Sequence, residues 1–240
     1  MATAKDIHIA PIKASDANAL VKRVHYSGKI VPNSQIHLGV FLKGKLEGVM
    51  QFGPSMDKRR IQGLVSDTRW NAFLELNRMA FSDKLPRNSE SRALSIAFKM
   101  LKKAYPHLEW IVSFADGTQC GDGTIYRAAG FLLTGLRENK TILLMPDGSI
   151  VADLTLNTSQ VRTGKNAGWW KRNGAKPLDG FQLRYIYFIN PAAKDRLTVP
   201  IIPFSKIEEL GAKMYKGEKI NASKASDGGL QPHSGGVTPT

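Results

Sequence analysis

Asp116, Tyr126 and Arg78 are the residues whose types and settings best suit chemistry. Asp116 follows directly on the apolar run Trp110-Ile-Val-Ser-Phe-Ala115 and opens a glycine-rich stretch that closes at Gly123. In open α/β sheets ligands bind beyond the carboxyl ends of strands, where a carboxylate can act as general base or orient an attacking group. Asp122, set between two glycines, reads as a turn cap at least as readily as a ligand contact. Tyr126 lies on a short helical stretch stopped by Gly130, with Phe131 opening the next strand. Its phenol can protonate a departing thiolate or alkoxide in the same cleft. Arg78 is a cation inside the apolar run Phe73–Phe81, and its neighbours Leu76, Met79 and Phe81 favour burial beside a phosphate or carboxyl group. The expectation is one pocket shared by all three.

Arg87, Asn88, Ser89, Ser91 and Arg92 surround the start of the helix that follows this strand. First-turn N–H groups have no partner inside a helix and the positive dipole end lies there, so the turn is a candidate phosphate site. Glu90 in the same turn opposes an anion. His25 and Tyr26 end the first helix. An N/O metal site built from the two and a carboxylate would suit iron, but a histidine interacting with the helix dipole is the simpler reading, and no metal is expected. Cys120 is the single cysteine, which excludes an intrachain disulfide and a multi-cysteine zinc site, and no histidine lies near it in sequence; it reads as a bystander thiol.

The elements that must position these groups follow from the apolar pattern. Alternation around Ile7, Ile9 and Ile12 gives a first strand, and Ser15 or Asp16 can cap a helix carrying Leu20, Val21 and Val24. Ile36–Leu42 and residues 46–52 are strand-like runs joined by Lys43-Gly44-Lys45, a hairpin signal. After the strand Phe73–Phe81, Asn88 or Ser89 can cap a helix whose apolar face is Ala93, Leu94, Ile96, Ala97, Met100, Leu101 and Ala104, ended by Pro106. Strands at 110–115, 131–136 and 182–189, a short helix at 124–129, and a second hairpin around Pro146-Asp147-Gly148 complete the reading. A meander passing into a β-α-β crossover predicts an α/β (α+β) domain with a central mixed sheet flanked by helices. The expected organisation is one domain over 1–216, with a basic insertion at about 140–180, and a disordered tail over 217–240, where large apolar residues are scarce.

Charge points to a partner. The 240 residues carry 34 Lys+Arg against 20 Asp+Glu, a net +14, and a polyanion that loses its counterions to these cations is the natural match. Cations gather at Lys58, Arg59 and Arg60, and again at Arg162, Lys165, Lys171, Arg172, Lys176 and Arg184, where Asp179 is the one acid and Trp169 and Trp170 sit among them. Cations track phosphates while rings can stack on unpaired bases, so nucleic acid is favoured over a merely solvated face. No apolar run approaches the ~20 residues of a membrane span, and no signal-peptide core follows Met1, so no membrane partner and a cytosolic location are expected.

Element order, the strand–helix turn and the Tyr126-Arg-Ala-Ala-Gly-Phe131 string resemble the GNAT acyltransferase fold. Longer strings resemble the Mom family of phage DNA-modification proteins. They include His25-Tyr-Ser-Gly28, Glu75-Leu-Asn-Arg-Met-Ala-Phe81, Arg87-Asn-Ser-Glu-Ser-Arg92, Ser113-Phe-Ala-Asp-Gly117 and Cys120-Gly-Asp-Gly-Thr-Ile-Tyr126, and the likeness spans roughly residues 7–217. The resemblance implies a phage- or prophage-encoded enzyme acting in the host cytoplasm. Such an enzyme converts adenine in double-stranded DNA to its N6-methylcarbamoyl (acetamido) form and so shields the DNA from restriction. It further implies acetyl-CoA as cofactor, held at Arg87–Arg92, and Tyr126 as acid toward the thiolate, although the glycines usual in a GNAT pyrophosphate loop are missing from Arg87-Asn-Ser-Glu-Ser91. A homodimer stays open. A plain N-acetyltransferase of a protein or small amine, and a non-enzymatic DNA-binding protein, are the alternative readings.

Overall fold

A computed structural model of the protein describes residues 2–118 and 121–211, together with Met214–Tyr215 and Glu218–Lys219. In chain order the elements are β1 (Ile7–Pro11), α1 (Ala14–Val24), β2 (Ile36–Leu42), β3 (Lys45–Gly53), α2 (Lys58–Gln62), β4 (Phe73–Phe81) and α3 (Ser89–Ala104). There follow β5 (Trp110–Asp116), α4 (Thr124–Ala128), β6 (Leu132–Glu138), β7 (Ile142–Leu144), β8 (Ile150–Ala152), α5 (Asp153–Thr163) and α6 (Ala167–Arg172). The chain continues with β9 (Lys176–Pro177), β10 (Phe181–Phe188), α7 (Ser205–Glu209), β11 (Met214–Tyr215) and β12 (Glu218–Lys219). The expected α/β class is met: a seven-stranded sheet in the order β1-β2-β3-β4-β5-β10-β6, with β4 and β5 parallel and the other neighbours antiparallel.

The parallel pair decides the architecture. Its ladder covers only Phe73↔Trp110, Leu74↔Ile111 and Glu75↔Val112, although β4 runs on to Phe81 and β5 to Asp116. A register shift between Gln51 and Phe52 on β3 bends β4 where the pairing stops. The two strands therefore part, and a gap opens through the sheet.

Alternation along the strands sorts side chains onto two faces. On one, Met50, Phe52, Leu76, Ile111, Ala115, Leu183 and Tyr185 pack with Ala93, Leu94, Ala97, Phe98 and Leu101 of α3, the helical spacing read from the sequence. Each such Leu or Phe contributes roughly 1.5–3 kcal/mol by burial, so this face carries most of the stability. On the other face Ala17, Leu20 and Val21 of α1 cover Val49 and Ala80, while Trp110 stacks on Phe73 at 4.5 Å and donates its indole N–H to Thr68.

Local chemistry explains several boundaries. Lys43 and Gly44 both have positive φ (50° and 74°), so the expected hairpin is a two-residue turn whose twist matches its strands. Ser15 and Asp16 do not cap α1; Lys13 holds that position without a side-chain bond, and the two bond each other in the first turn. Asn88 does start α3, but at φ 68° its side chain makes no cap bond. Residues 142–177 form a small sheet, β8-β7-β9, with α5 and α6 over their own core of Leu143, Met145, Leu156, Ala167 and Ala175. The β11–β12 ladder ends at Lys219, three residues past the boundary expected at 216/217; the rest of that tail, like Cys120, lies outside the described residues.

Candidate active site and nucleic-acid interface

The gap between β4 and β5 holds a cavity of about 430 Å³. Leu76, Met79, Ala115 and Tyr126 line it from the α3 side, and His25, Tyr26 and Arg78 from the α1 side. Arg78 pairs with Gln51, which bonds Asn18 of α1, and this fixes the face that Arg78 occupies. Its Nε donates to the Lys29 carbonyl at 2.9 Å and one terminal nitrogen to the Asn77 carbonyl at 2.9 Å, so the guanidinium is braced by neutral acceptors. Burial lowers its pKa, and Tyr26, Glu75 and Tyr126 pull it back up, which puts both tyrosines and one carboxylate within its electrostatic reach. Arg78, Tyr126, Tyr26 and His25 are thus brought together from separate parts of the sequence.

Tyr126 is held by packing. Its ring lies 5.1 Å from Tyr185 and 5.2 Å from Phe131, and α4 is pinned from below by the buried Tyr185 hydroxyl, which donates to the Asp122 carbonyl. Burial pushes the Tyr185 phenol well above its ordinary value, with Asp122 and Tyr126 adding to the rise. Asp122 lines the cavity, and its carboxylate accepts from the Thr124 N–H at 3.0 Å and hydroxyl at 2.6 Å, the turn cap expected of it.

His25 carries no charge near neutral pH. Burial, then the neighbouring Arg78 cation, bring its pKa down to about 4. A charge–dipole role is therefore excluded, and Nδ1 accepts the Ser27 N–H at 3.2 Å, which puts the ring proton on Nε2. Among the described residues no group of three or more His, Cys, Asp or Glu gathers as a metal ion would require.

Asp116 departs from the expectation. It is not among the residues lining this cavity, and its Oδ1 accepts the Thr118 N–H at 2.9 Å. Ala115 faces α3, so Phe114 and Asp116 point to the α1 side, the face that Arg78 also occupies, with Arg184 and Gln182 of β10 opposite them. Phe114 reaches the cavity from there, whereas Asp116, the last residue of β5, is paired with Gln182 on the side away from β4. Glu75 was missed altogether, although a carboxylate within an apolar strand was visible in Glu75-Leu-Asn-Arg78. It lines a second cavity of about 530 Å³ with Arg60, Arg137, Gln182 and Arg184, none of which except the arginines at 60 and 184 drew notice in the sequence.

At the α3 N-terminus Arg87 and Arg92 are exposed, Ser89 is fully buried, and its hydroxyl finds no partner among the described residues. Ser91 instead bonds the Asn88 carbonyl. Asn88 adopts the left-handed conformation that glycine would supply in such a loop. An orphaned hydroxyl beside first-turn N–H groups and two cations fits a phosphate-bearing cofactor.

Lys58 sits 4.4 Å over the Trp70 ring and bonds Asn71, while Arg59 and Arg60 are exposed. In the small sheet's helices Trp170 packs into the core, Trp169 meets it edge-on at 4.9 Å, and Lys165 covers the Trp169 ring at 4.3 Å. Lys171 is ion-paired with Asp153 at 2.7 Å; Arg162, Arg172 and Lys176 are exposed.

Fold and site define an α/β protein whose parted parallel strands hold a cavity lined from both faces of one sheet. The chain belongs to the Mom protein family, whose model matches residues 6–206. It is 36% identical over 200 residues to methylcarbamoylase Mom of Escherichia phage Mu, covering 82% of this chain and 81% of that protein. Among solved structures it is similar to the ribosomal-protein-S18-alanine N-acetyltransferase of Escherichia coli (TM-score 0.43, 12% identity, 77% of this chain and 94% of that one). It is also similar to an N-acetyltransferase of Staphylococcus aureus Mu50 (TM-score 0.45, 11% identity, 77% of this chain and 99% of that one). No helix among the described residues is long and apolar enough to cross a membrane.

Proposed function

We propose that this protein is a DNA-modifying transferase that converts adenine in duplex DNA to its N6-methylcarbamoyl form, and so protects phage DNA from host restriction nucleases. The observation that carries the reading is the meeting of Arg78, Tyr126, Tyr26 and His25 in one cavity of a Mom-family chain. A GNAT-like use of the fold follows, with acetyl-CoA as the donor. When bound, that cofactor would supply the two-carbon unit and a thiolate leaving group. Joining N6 to the methyl carbon further requires a two-electron oxidant, and the carboxamide an ammonia-level nitrogen donor that displaces the thiolate; this chain's residues supply neither.

The chain's own residues divide the work by face. Arg87, Ser89, Ser91, Arg92 and the N–H groups starting α3 would hold the cofactor phosphates on the α3 side. The Tyr126 phenol, fixed by Tyr185 and Phe131, would donate the proton to the thiolate. Arg78, with fixed donors in a half-buried site, would orient a carbonyl or carboxyl oxygen. Neutral His25 would offer its Nε2–H to the same oxygen. Asp116, paired with Gln182 on the side away from β4, would serve the DNA side rather than the reacting atoms.

DNA must reach the α1 face with its target base extruded, at a cost of a few kcal/mol, because N6 in a stacked pair cannot enter a cavity. Arg59, Arg60, Arg162, Lys165, Trp169, Arg172 and Lys176 are the groups offered to it, with Lys58, Trp170 and Lys171 bracing them. Nucleoside mass spectrometry of plasmid DNA from cells expressing the protein tests the reading. A methylcarbamoylated deoxyadenosine is expected; folded, expressed protein that leaves the DNA unmodified overturns it.

A further inference from the structure

Phe114 lines both cavities, at the point where β4 and β5 part. The second cavity lies on the α1 face beside the first, and its composition is unusual. Arg60, Arg137 and Arg184 stand around it, and none of the three forms an ion pair among the described residues. The forks of Arg137 and Arg184 are set by neutral acceptors instead. Arg184 donates to the Thr134 hydroxyl and carbonyl at 3.2 and 2.5 Å, and Arg137 donates twice to the Gln182 amide oxygen, at 3.1 and 2.6 Å. Asp57, the other carboxylate lining the cavity besides Glu75, caps α2 through the Arg60 N–H. Asp116, opposite Gln182, accepts from Thr118. Two guanidinium groups fixed by neutral acceptors and a third, exposed, at Arg60, none of them in an ion pair among the described residues, suit an anion, and bidentate Arg is suited to phosphate.

We propose that this second cavity is the pocket for the extruded nucleotide. Arg60, Arg137 and Arg184 take the phosphates that flank it, Phe114 stacks on the purine, and the Glu75 carboxyl pairs with the donor–acceptor edge of adenine. The inference rests on the reading of the protein as a DNA adenine-modifying enzyme and names the residues that read the base. Its volume of about 530 Å³ falls in the range of small-molecule sites. Burial raises the pKa of Glu75, with Ser55, Asn77 and Arg78 opposing the rise. In its protonated form the carboxyl offers one donor and one acceptor, the complement of N6–H beside a ring nitrogen. Glu75 and Arg78 stand on the same strand, β4, and each lines one of the two cavities, so a base read by Glu75 presents its amino group toward the reacting site.

The test uses the full chain with Glu75→Gln, Glu75→Ala and the double variant Arg137→Ala/Arg184→Ala. Modification is read by nucleoside mass spectrometry and folding by thermal melting. A third readout compares affinity for a duplex whose target adenine opposes an abasic site, which lowers the extrusion cost, with affinity for the paired duplex. Gln supplies the same donor–acceptor pair as a protonated carboxyl, so E75Q should exceed E75A in adduct by about tenfold or more, the discrimination a bidentate base contact gives. The double Arg variant should lose the preference for the abasic-opposed duplex while its melting stays within a few degrees of the parent. E75Q as inactive as E75A, or wild-type adduct in both, would overturn the pocket while the parent's own adduct leaves the enzymatic reading standing. No adduct from the parent protein would sink both readings.

Discussion

Arg78 and Tyr126 enter one cavity from opposite faces of the sheet, Arg78 from the α1 side and Tyr126 from the α3 side. The parting of β4 and β5 makes this meeting possible, because a continuous ladder would place a wall of backbone between them. One ligand can therefore arrive along α3 and another across α1, each meeting its own set of fixed groups before they meet each other. That is the arrangement a two-substrate transfer needs, since orientation before reaction removes much of the entropic barrier.

Tyr126→Phe isolates the phenol from the ring. Phe keeps the contacts with Tyr185 and Phe131, so melting and DNA affinity should match the parent. Adduct formation should fall by about 100-fold or more, the usual worth of a positioned acid. Full activity in Y126F would remove the hydroxyl from the chemistry.

Gly123→Ala tests how α4 is held. Gly123 starts that helix at φ +79°, and a Cβ there would lie 2.5 Å from the Tyr185 ring, which is buried on every side and cannot yield. Strain and overpacking together predict a loss of roughly 1–3 kcal/mol in chemical denaturation, together with a lower adduct yield as Tyr126 is displaced. A variant as stable and active as the parent would show that the α4 turn is not fixed by Tyr185.

Much of this was legible because the informative stretches are apolar and periodic. Phe73–Phe81 reads as a strand and coincides with β4, and the three- and four-residue spacing from Ala93 to Leu101 is the buried face of α3. Residues 153–172 gave no comparable signal. α5 is built from Thr, Asn, Ser and Gln, and α6 is fixed by the Asn166 cap on the Trp169 N–H rather than by an apolar stripe. The sharing of a cavity by Arg78 and Tyr126 was readable from local motifs, whereas the place of Asp116 was not, because it depends on pairing with Gln182 of β10, a strand far along the chain. Glu75 escaped for a related reason: its setting depends on Arg137 and Arg184, which strand pairing alone brings near.

Acid should expose His25. Its folded pKa, about 4, lies below the 6.5 of the free side chain, so below pH 6.5 the unfolded chain binds the proton that the folded chain refuses. Stability is then fully present above 6.5 and falls as pH drops toward 4, by about 1–2 kcal/mol once its partial exposure is allowed for. Glu75 contributes with the opposite sign above pH 4.5, since its raised pKa makes the folded chain the better proton binder. Comparing urea midpoints of the parent and His25→Asn at pH 7 and pH 5 separates the two: the parent should lose more stability than the variant. Equal losses would mean that His25 is solvated in the folded protein.

Charge pairing sets which cations of the small helical subassembly can serve DNA. Lys171 already faces Asp153 at 2.7 Å, and the pair bridges α5 and α6, whereas Arg162 and Arg172 are exposed with no ion pair among the described residues. A phosphate gains little from a lysine whose charge is cancelled, and each true phosphate contact adds about one to the slope of log affinity against log salt. Arg162→Ala and Arg172→Ala should each lower that slope by about one, measured by fluorescence anisotropy on a short duplex across a salt series. Lys171→Ala should change the slope less than either, while lowering the melting temperature because Asp153 loses its partner. If the three variants flatten the slope equally, Lys171 leaves Asp153 to bind DNA, and the ion pair is a resting contact rather than a brace.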